Sequence, residues 1–147
     1  MAEMVERTPY ATSVEPYIKE WYEFLWDGKL MGVRCTHCGA IGFPPFPVCN
    51  SCHHTDMEWV EVSGEGELLA FTQYTAGVLP FKMEPVIVGF VKLKEGTTFM
   101  SWVEDAPQDM AEQEAFNRTL PVPVTMSVKV MDPENKIAYP VFNLKKD

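Results

Sequence analysis

A mostly β chain with an N-terminal helix, built as a small zinc ribbon followed by a five-stranded OB-type barrel, is what these 147 residues predict. Three observations carry that expectation. Four cysteines form two CxxC pairs. The remainder alternates apolar and polar residues between turn signals. One short helical stretch interrupts that alternation between the third and fourth candidate strands.

The cysteines are Cys35, Cys38, Cys49 and Cys52, and no other cysteine occurs in the chain. A tetrahedral zinc centre needs four thiolates at about 2.3 Å from one ion. Two tight CxxC turns joined by a ten-residue loop can supply them. The N-terminus lacks the basic-then-apolar layout of a secretory signal, and no run approaches the ~18 apolar residues of a membrane span. The expected compartment is therefore the cytoplasm, where thiols stay reduced and open to metal.

Residues 1–29 read as a polar arm followed by an aromatic helix from Pro16 to Asp27, with Pro16 suited to its first turn and Gly28 to its stop. Tyr17, Trp21 and Leu25 share one face, Ile18 and Tyr22 flank it, and Phe24 and Trp26 point elsewhere. Burial in the helix's own domain is the plain reading, and anchoring of a partner is the sharper one. Residues 30–60 read as the ribbon. Gly39 after the first pair suits a turn that needs positive φ, whereas His53 in the same place predicts a less regular second turn. Between the pairs, Pro44, Pro45 and Pro47 stiffen a segment whose Phe43 and Phe46 are expected to pack on the helix or on the next domain.

Residues 61–147 read as the barrel. Ser63–Gly66 breaks the chain before a strand over 67–76. A second strand spans 85–94, with Gly89 at a bend or bulge, and a tight turn at Glu95-Gly96 leads into a third over 97–104. A helix over 107–116 places Met110, Ala111, Ala115 and Phe116 at helical spacing. Val122, Val124, Met126, Val128 and Val130 alternate with polar positions as a fourth strand. Asp132–Asn135 turns into a fifth strand over 137–144, where Pro140 points to a sheet edge. Five strands with a helix between the third and fourth is the order of an OB-fold, and closure would protect the edges of so short a sheet.

Charge narrows the partners. Twelve Lys and Arg against 21 Asp and Glu give −9, so general binding to a phosphate backbone is disfavoured. Lys29, Arg34 and Lys82 could meet phosphates, but exposed basic side chains serve solubility more often, so no CoA-contacting residue is assigned. A closed four-thiolate site has no open position to activate water. His37 or His53 could replace a cysteine ligand, although exposure or a hydrogen bond to a thiolate fits standard cysteine spacing better. With every cysteine in one site and all three histidines beside it, the chain is expected to catalyse nothing alone.

Residues from about 15 to 145 resemble the zinc-ribbon/OB-fold proteins associated with acyl-CoA enzymes. The matching segments are Trp26-Asp-Gly-Lys-Leu30, Arg34-Cys35-x-x-Cys38-Gly39, Phe43-Pro-Pro45, Cys49-x-x-Cys52 and Trp59-Val-Glu-Val-Ser-Gly64-x-Gly66. The resemblance implies a rubredoxin-like ribbon bearing structural zinc, and a barrel that binds CoA or acyl-CoA, shared with a catalytic partner. That partner would be a thiolase-like subunit, as in two-component thiolases that include the type cleaving aromatic acyl-CoA intermediates, or a hot-dog-fold hydratase. A single-stranded nucleic-acid module and a rubredoxin-like electron carrier are the competing readings. The first would show binding in a low-salt gel shift, and the second a coloured, bleachable protein.

Overall fold

The computed structural model describes residues 16–74, 86–134 and 136–145, with side chains from Lys19 onward. The arm over 1–13, Lys82, Asn135 and the side chains of Tyr17 and Ile18 lie outside the described residues. Helix α1 (Pro16–Trp26) leads into a three-stranded antiparallel sheet of order β2-β1-β3, from β1 (Met31–Cys35), β2 (Ile41–Gly42) and β3 (Met57–Glu61). The rest forms a five-stranded sheet of order β6-β5-β4-β7-β8. Its strands are β4 (Glu65–Tyr74), β5 (Val86–Leu93), β6 (Thr98–Trp102), β7 (Val122–Asp132) and β8 (Ile137–Leu144), with α2 (Met110–Asn117) between β6 and β7. Among the described residues, no helix is long and apolar enough to cross a membrane.

The chain divides into two compact units. One holds Met1–Ser63 with Val128–Tyr139, the other Gly64–Ser127 with Pro140–Asp147. In the first, Trp21 and Leu25 are buried, and Trp21 meets Phe43 edge-on with ring centroids 5.7 Å apart. Tyr139 approaches the same indole at 6.2 Å. Phe24 packs edge-on to Trp59 at 5.3 Å, and the Trp59 indole N–H donates to Glu20 at 3.0 Å. The helix is thus held by aromatic contacts within its own unit, as the plain reading expects. Phe43, fully buried, occupies the place expected of it.

The second unit closes on itself as a nearly complete barrel. Its edge strands meet through a parallel bridge between Val103 and Phe142, and the Glu104 N–H donates to the Phe142 carbonyl at 2.9 Å. Pro140 lies on β8, a terminal strand of the sheet, as its missing N–H requires, and its carbonyl accepts from the Ser101 hydroxyl. Leu68, Val91, Leu93, Val124 and Phe142 are buried core residues of this unit, and Val141 beside Phe142 is buried as well. The alternation in β7 runs true through Met126 and fades at Val130, which is half exposed.

Three local differences have physical causes. β4 begins at Glu65 rather than 67, because Gly66 lies within the ladder, where a side chain would come 2.6 Å from the Lys92 carbonyl oxygen. The bulge falls at Leu69 on β4, opposite Phe90 and Val91 rather than at Gly89, which pairs with Phe71. Helix α2 begins at Met110 because the Asp109 carboxylate caps it, accepting the Ala111 and Glu112 N–H groups at 3.1 and 3.3 Å. Only eight residues long, α2 buries none of them. Phe116 docks on Phe71 at 5.5 Å while Met110 stays exposed.

Gly89 instead marks a close approach. A Cβ there would stand 2.6 Å from both Leu68 Cδ1 and Val103 Cγ2. Gly89→Val is expected to cost about 2 kcal/mol by overpacking, read as a lower midpoint in urea.

Candidate metal centre

Each knuckle is a backbone device before it is a sulfur donor. In the first, the Gly39 N–H donates to the Cys35 carbonyl at 2.9 Å, and the Cys35 N–H donates to the Ala40 carbonyl at 2.9 Å. The second repeats this, His53 N–H to Cys49 carbonyl at 3.0 Å and Cys49 N–H to His54 carbonyl at 2.8 Å. Positive φ is required after the second cysteine in both, at +79° for Gly39 and +65° for His53. The expectation of a less regular second turn is corrected: the turn imposes the conformation and His53 accepts the strain. Relief of a left-handed residue is worth about 1–2 kcal/mol, against about 0.5–1 kcal/mol of extra glycine entropy. His53→Gly is therefore expected to leave the thermal midpoint unchanged or raise it by a few degrees.

The knuckles bring the four Sγ atoms within 4.8 Å of one another. Cys35 to Cys52 and Cys38 to Cys49 are both 3.5 Å apart. Four thiolates around zinc at about 2.3 Å stand about 3.8 Å apart, so this cluster is near that spacing and far from the ~2.05 Å of a disulfide. All four are free cysteines, with Cys35 and Cys49 buried, Cys52 intermediate and Cys38 exposed.

Electrostatics favour a cation here. The Cys52 and Ser51 backbone N–H groups point at Cys49 and draw its thiol down to about 6. The Cys38 and His37 N–H groups likewise lower Cys35, against its burial. At Cys52 the His54 N–H favours the thiolate, but burial and the three neighbouring sulfurs outweigh it and push the thiol up to about 12. Crowding of the four sulfurs opposes their full ionisation, and a bound divalent ion would relieve that opposition. The donor set, spacing and amide orientation all fit zinc.

Histidine placement adds a detail that the spacing did not reveal. His54, not His37 or His53, reaches a sulfur, with Nδ1 3.3 Å from Cys52 Sγ. His37 stacks on His54 with ring centroids 3.7 Å apart and planes 12° apart. His37, Cys52 and His54 thus bring their ligand atoms within 4.8 Å of one another, and of the two rings it is His54 that stands at hydrogen-bond distance from Cys52, as a support for that sulfur. Adjacent histidines after CxxC were the available signal, but which one turns inward depends on the knuckle's φ pattern.

Arg34 is engaged across the sheet. Its Nε and Nη2 donate to Glu58 Oε1 at 2.8 and 2.5 Å, Glu58 being its register partner on β3. Half-exposed, this pair is worth at most about 1 kcal/mol, yet it commits the guanidinium. Lys29 is exposed, and no CoA-binding residue emerges among the described residues.

Comparison with known proteins agrees with this architecture. Residues 26–58 match the model of the ChsH2 rubredoxin-like zinc ribbon domain, and residues 59–128 that of the ChsH2 C-terminal OB-fold domain. The chain belongs to this zinc-ribbon/OB-fold family. It is 33% identical over 84 residues to the benzoylsuccinyl-CoA thiolase subunit BbsA of Thauera aromatica, covering 55% of this chain and 58% of that protein. It is 28% identical over 144 residues to a probable enoyl-CoA hydratase alpha subunit of Thermomonospora curvata, covering 95% of this chain and 42% of that protein. A DUF35 domain-containing scaffold protein of Methanocaldococcus jannaschii is 27% identical over 96 residues, 63% of this chain and 68% of that protein. This chain thus spans about two fifths of the hydratase relative and somewhat under two thirds of the thiolase subunit. A solved structure described as an Ltp2-ChsH2(DUF35) aldolase shares the fold, with TM-score 0.72 at 24% identity over 90% of this chain and 97% of that one.

Proposed function

We propose that this chain is a non-catalytic, cytoplasmic subunit that docks on a thiolase-type acyl-CoA enzyme and helps hold CoA or acyl-CoA there. In this reading Cys35, Cys38, Cys49 and Cys52 bind one structural zinc ion. The observation that carries it is the 33% identity to a protein named as a thiolase subunit. Cysteine usage supports it: thiolytic chemistry needs a free thiolate nucleophile, and every cysteine of this sequence lies in the metal cluster. The nucleophile would then belong to the partner.

A barrel surface is available for docking. Phe90 on β5 and Met100 on β6 are register partners, 39% and 58% exposed. Exposed aromatic and methionine residues side by side are what interface cores favour. Co-expression with a thiolase-type subunit encoded beside this chain should give a complex by gel filtration. Met100→Glu should weaken that complex about tenfold or more while leaving the thermal midpoint in place. A catalytic subunit that is stable and equally active alone, with no co-eluting complex, would sink the reading.

A second reading, the accessory subunit of an acyl-CoA hydratase, is favoured by the 28% identity over nearly the whole chain. It keeps the scaffold role and changes the reaction. Co-expression with a hydratase-type subunit in place of the thiolase separates the two. A colourless, zinc-loaded sample would set aside the electron carrier, and no low-salt gel shift would set aside the nucleic-acid module.

A further inference from the structure

The two knuckles match in backbone but not in how their outer sulfurs are guarded. Cys38 and Cys52 hold equivalent places, each the second cysteine of its pair. Cys52 is partly covered and has His54 Nδ1 at 3.3 Å. The residue at the corresponding position of the first knuckle is Ala40, whose side chain has no donor. Cys38 is exposed, and its Sγ lies among the other sulfurs, with Cys49 at 3.5 Å. Cys35 and Cys49 are buried under backbone N–H groups. Attack on a metal-held thiolate follows access and the availability of its lone pairs, and N–H donors tie those lone pairs down.

We propose that Cys38 is a modification site, the one sulfur of the quartet that hydroperoxides and soft electrophiles reach first, and that Cys49 resolves it. The inference rests on the zinc reading above. A Cys38 thiolate lone pair attacks one peroxide oxygen, the O–O bond breaks, and hydroxide leaves, giving a sulfenic acid. The Cys49 thiolate then attacks the Cys38 sulfur and expels its oxygen as a second hydroxide, forming the Cys38–Cys49 disulfide. The two hydroxides take up two protons from the buffer. Overall, one hydrogen peroxide, two thiolates and two protons become one disulfide and two waters. The metal is left with two of four ligands and is released.

The test uses the full-length, zinc-loaded protein, whose metal content, measured first, checks the zinc reading by itself. Graded hydrogen peroxide should release zinc to a chromogenic chelator in step with a Cys38–Cys49 cross-linked peptide seen by mass spectrometry. Dithiothreitol with added zinc should reverse both. With N-ethylmaleimide, Cys38 should label about tenfold or more faster than the other three. Ala40→His should slow that labelling several-fold, and His54→Ala should bring Cys52 up towards the Cys38 rate. Equal labelling of all four cysteines, a first disulfide within one CxxC pair, or unchanged Cys52 labelling in His54→Ala would overturn the proposal.

Discussion

Cys49→Ser is expected to empty the metal centre and unfold the ribbon. Cys49 is the buried first sulfur of its knuckle, and two backbone N–H groups are already arranged for a thiolate. A serine hydroxyl is a far weaker zinc ligand and stays protonated, so the amides lose the anion they were placed to meet. Structural zinc contributes on the order of 10 kcal/mol in small zinc folds at neutral pH. The unit around these cysteines has little else to replace that. β2 is two residues long, and the buried apolar side chains around it are chiefly Trp21, Leu25, Val33, Phe43 and Val62. Metal analysis should fall from about one zinc per chain to near none, and the near-ultraviolet circular dichroism of Trp21 and Trp59 should collapse. Far-ultraviolet signal from the barrel strands should persist. A strong chelator on the unmodified chain should reproduce the effect, more readily at lower pH, because protons compete with metal for the thiolates. A variant that keeps its tryptophan signals without zinc would show that the aromatic packing alone holds this unit.

That contrast explains how far the sequence could be read. Local chemistry was legible: two CxxC turns, a helix stopped at Gly28, period-two strands, and a hairpin turn where Gly96 takes φ +100°. The strand count and the helix position gave the barrel, since these are features of order along the chain. Side-chain partnerships between distant residues were not legible. Nothing near Arg34 in sequence specifies Glu58, 24 positions on, as its partner. Nor does the Cys49 segment announce that His53 takes the strained turn so that His54 can reach a sulfur. Gly66 and Gly89 read as breakers, because a glycine required for close packing looks the same in sequence as one required for a turn. Gly66 is packed against the Lys92 carbonyl, and Gly89 against Leu68 and Val103.

Barrel closure leads to the second large effect, Phe142→Ala. Phe142 is fully buried, its ring meets Phe99 edge-on at 6.0 Å, and its backbone makes the bridge to Val103. One residue therefore fills the core and marks the seam. Truncation removes the ring from a site beside Phe99 and Val103, both buried. Phe→Ala in such a setting costs about 3–5 kcal/mol, from lost transfer free energy plus the cavity left behind. Domains of this size are stable by only about 5–15 kcal/mol, so a large share of the total is at stake. The seam raises the consequence. β6 and β8 are held together by few backbone contacts, and a looser core lets them part, exposing two strand edges to pairing with other chains. Urea unfolding followed by far-ultraviolet circular dichroism should show a midpoint lowered by more than 1 M, taking about 1–3 kcal/mol per molar for the slope. Light scattering should also rise with protein concentration. Phe142→Leu restores much of the volume and should recover most of the loss. A Phe142→Ala protein with an unchanged midpoint would mean that the barrel closes through its ladder rather than through its core.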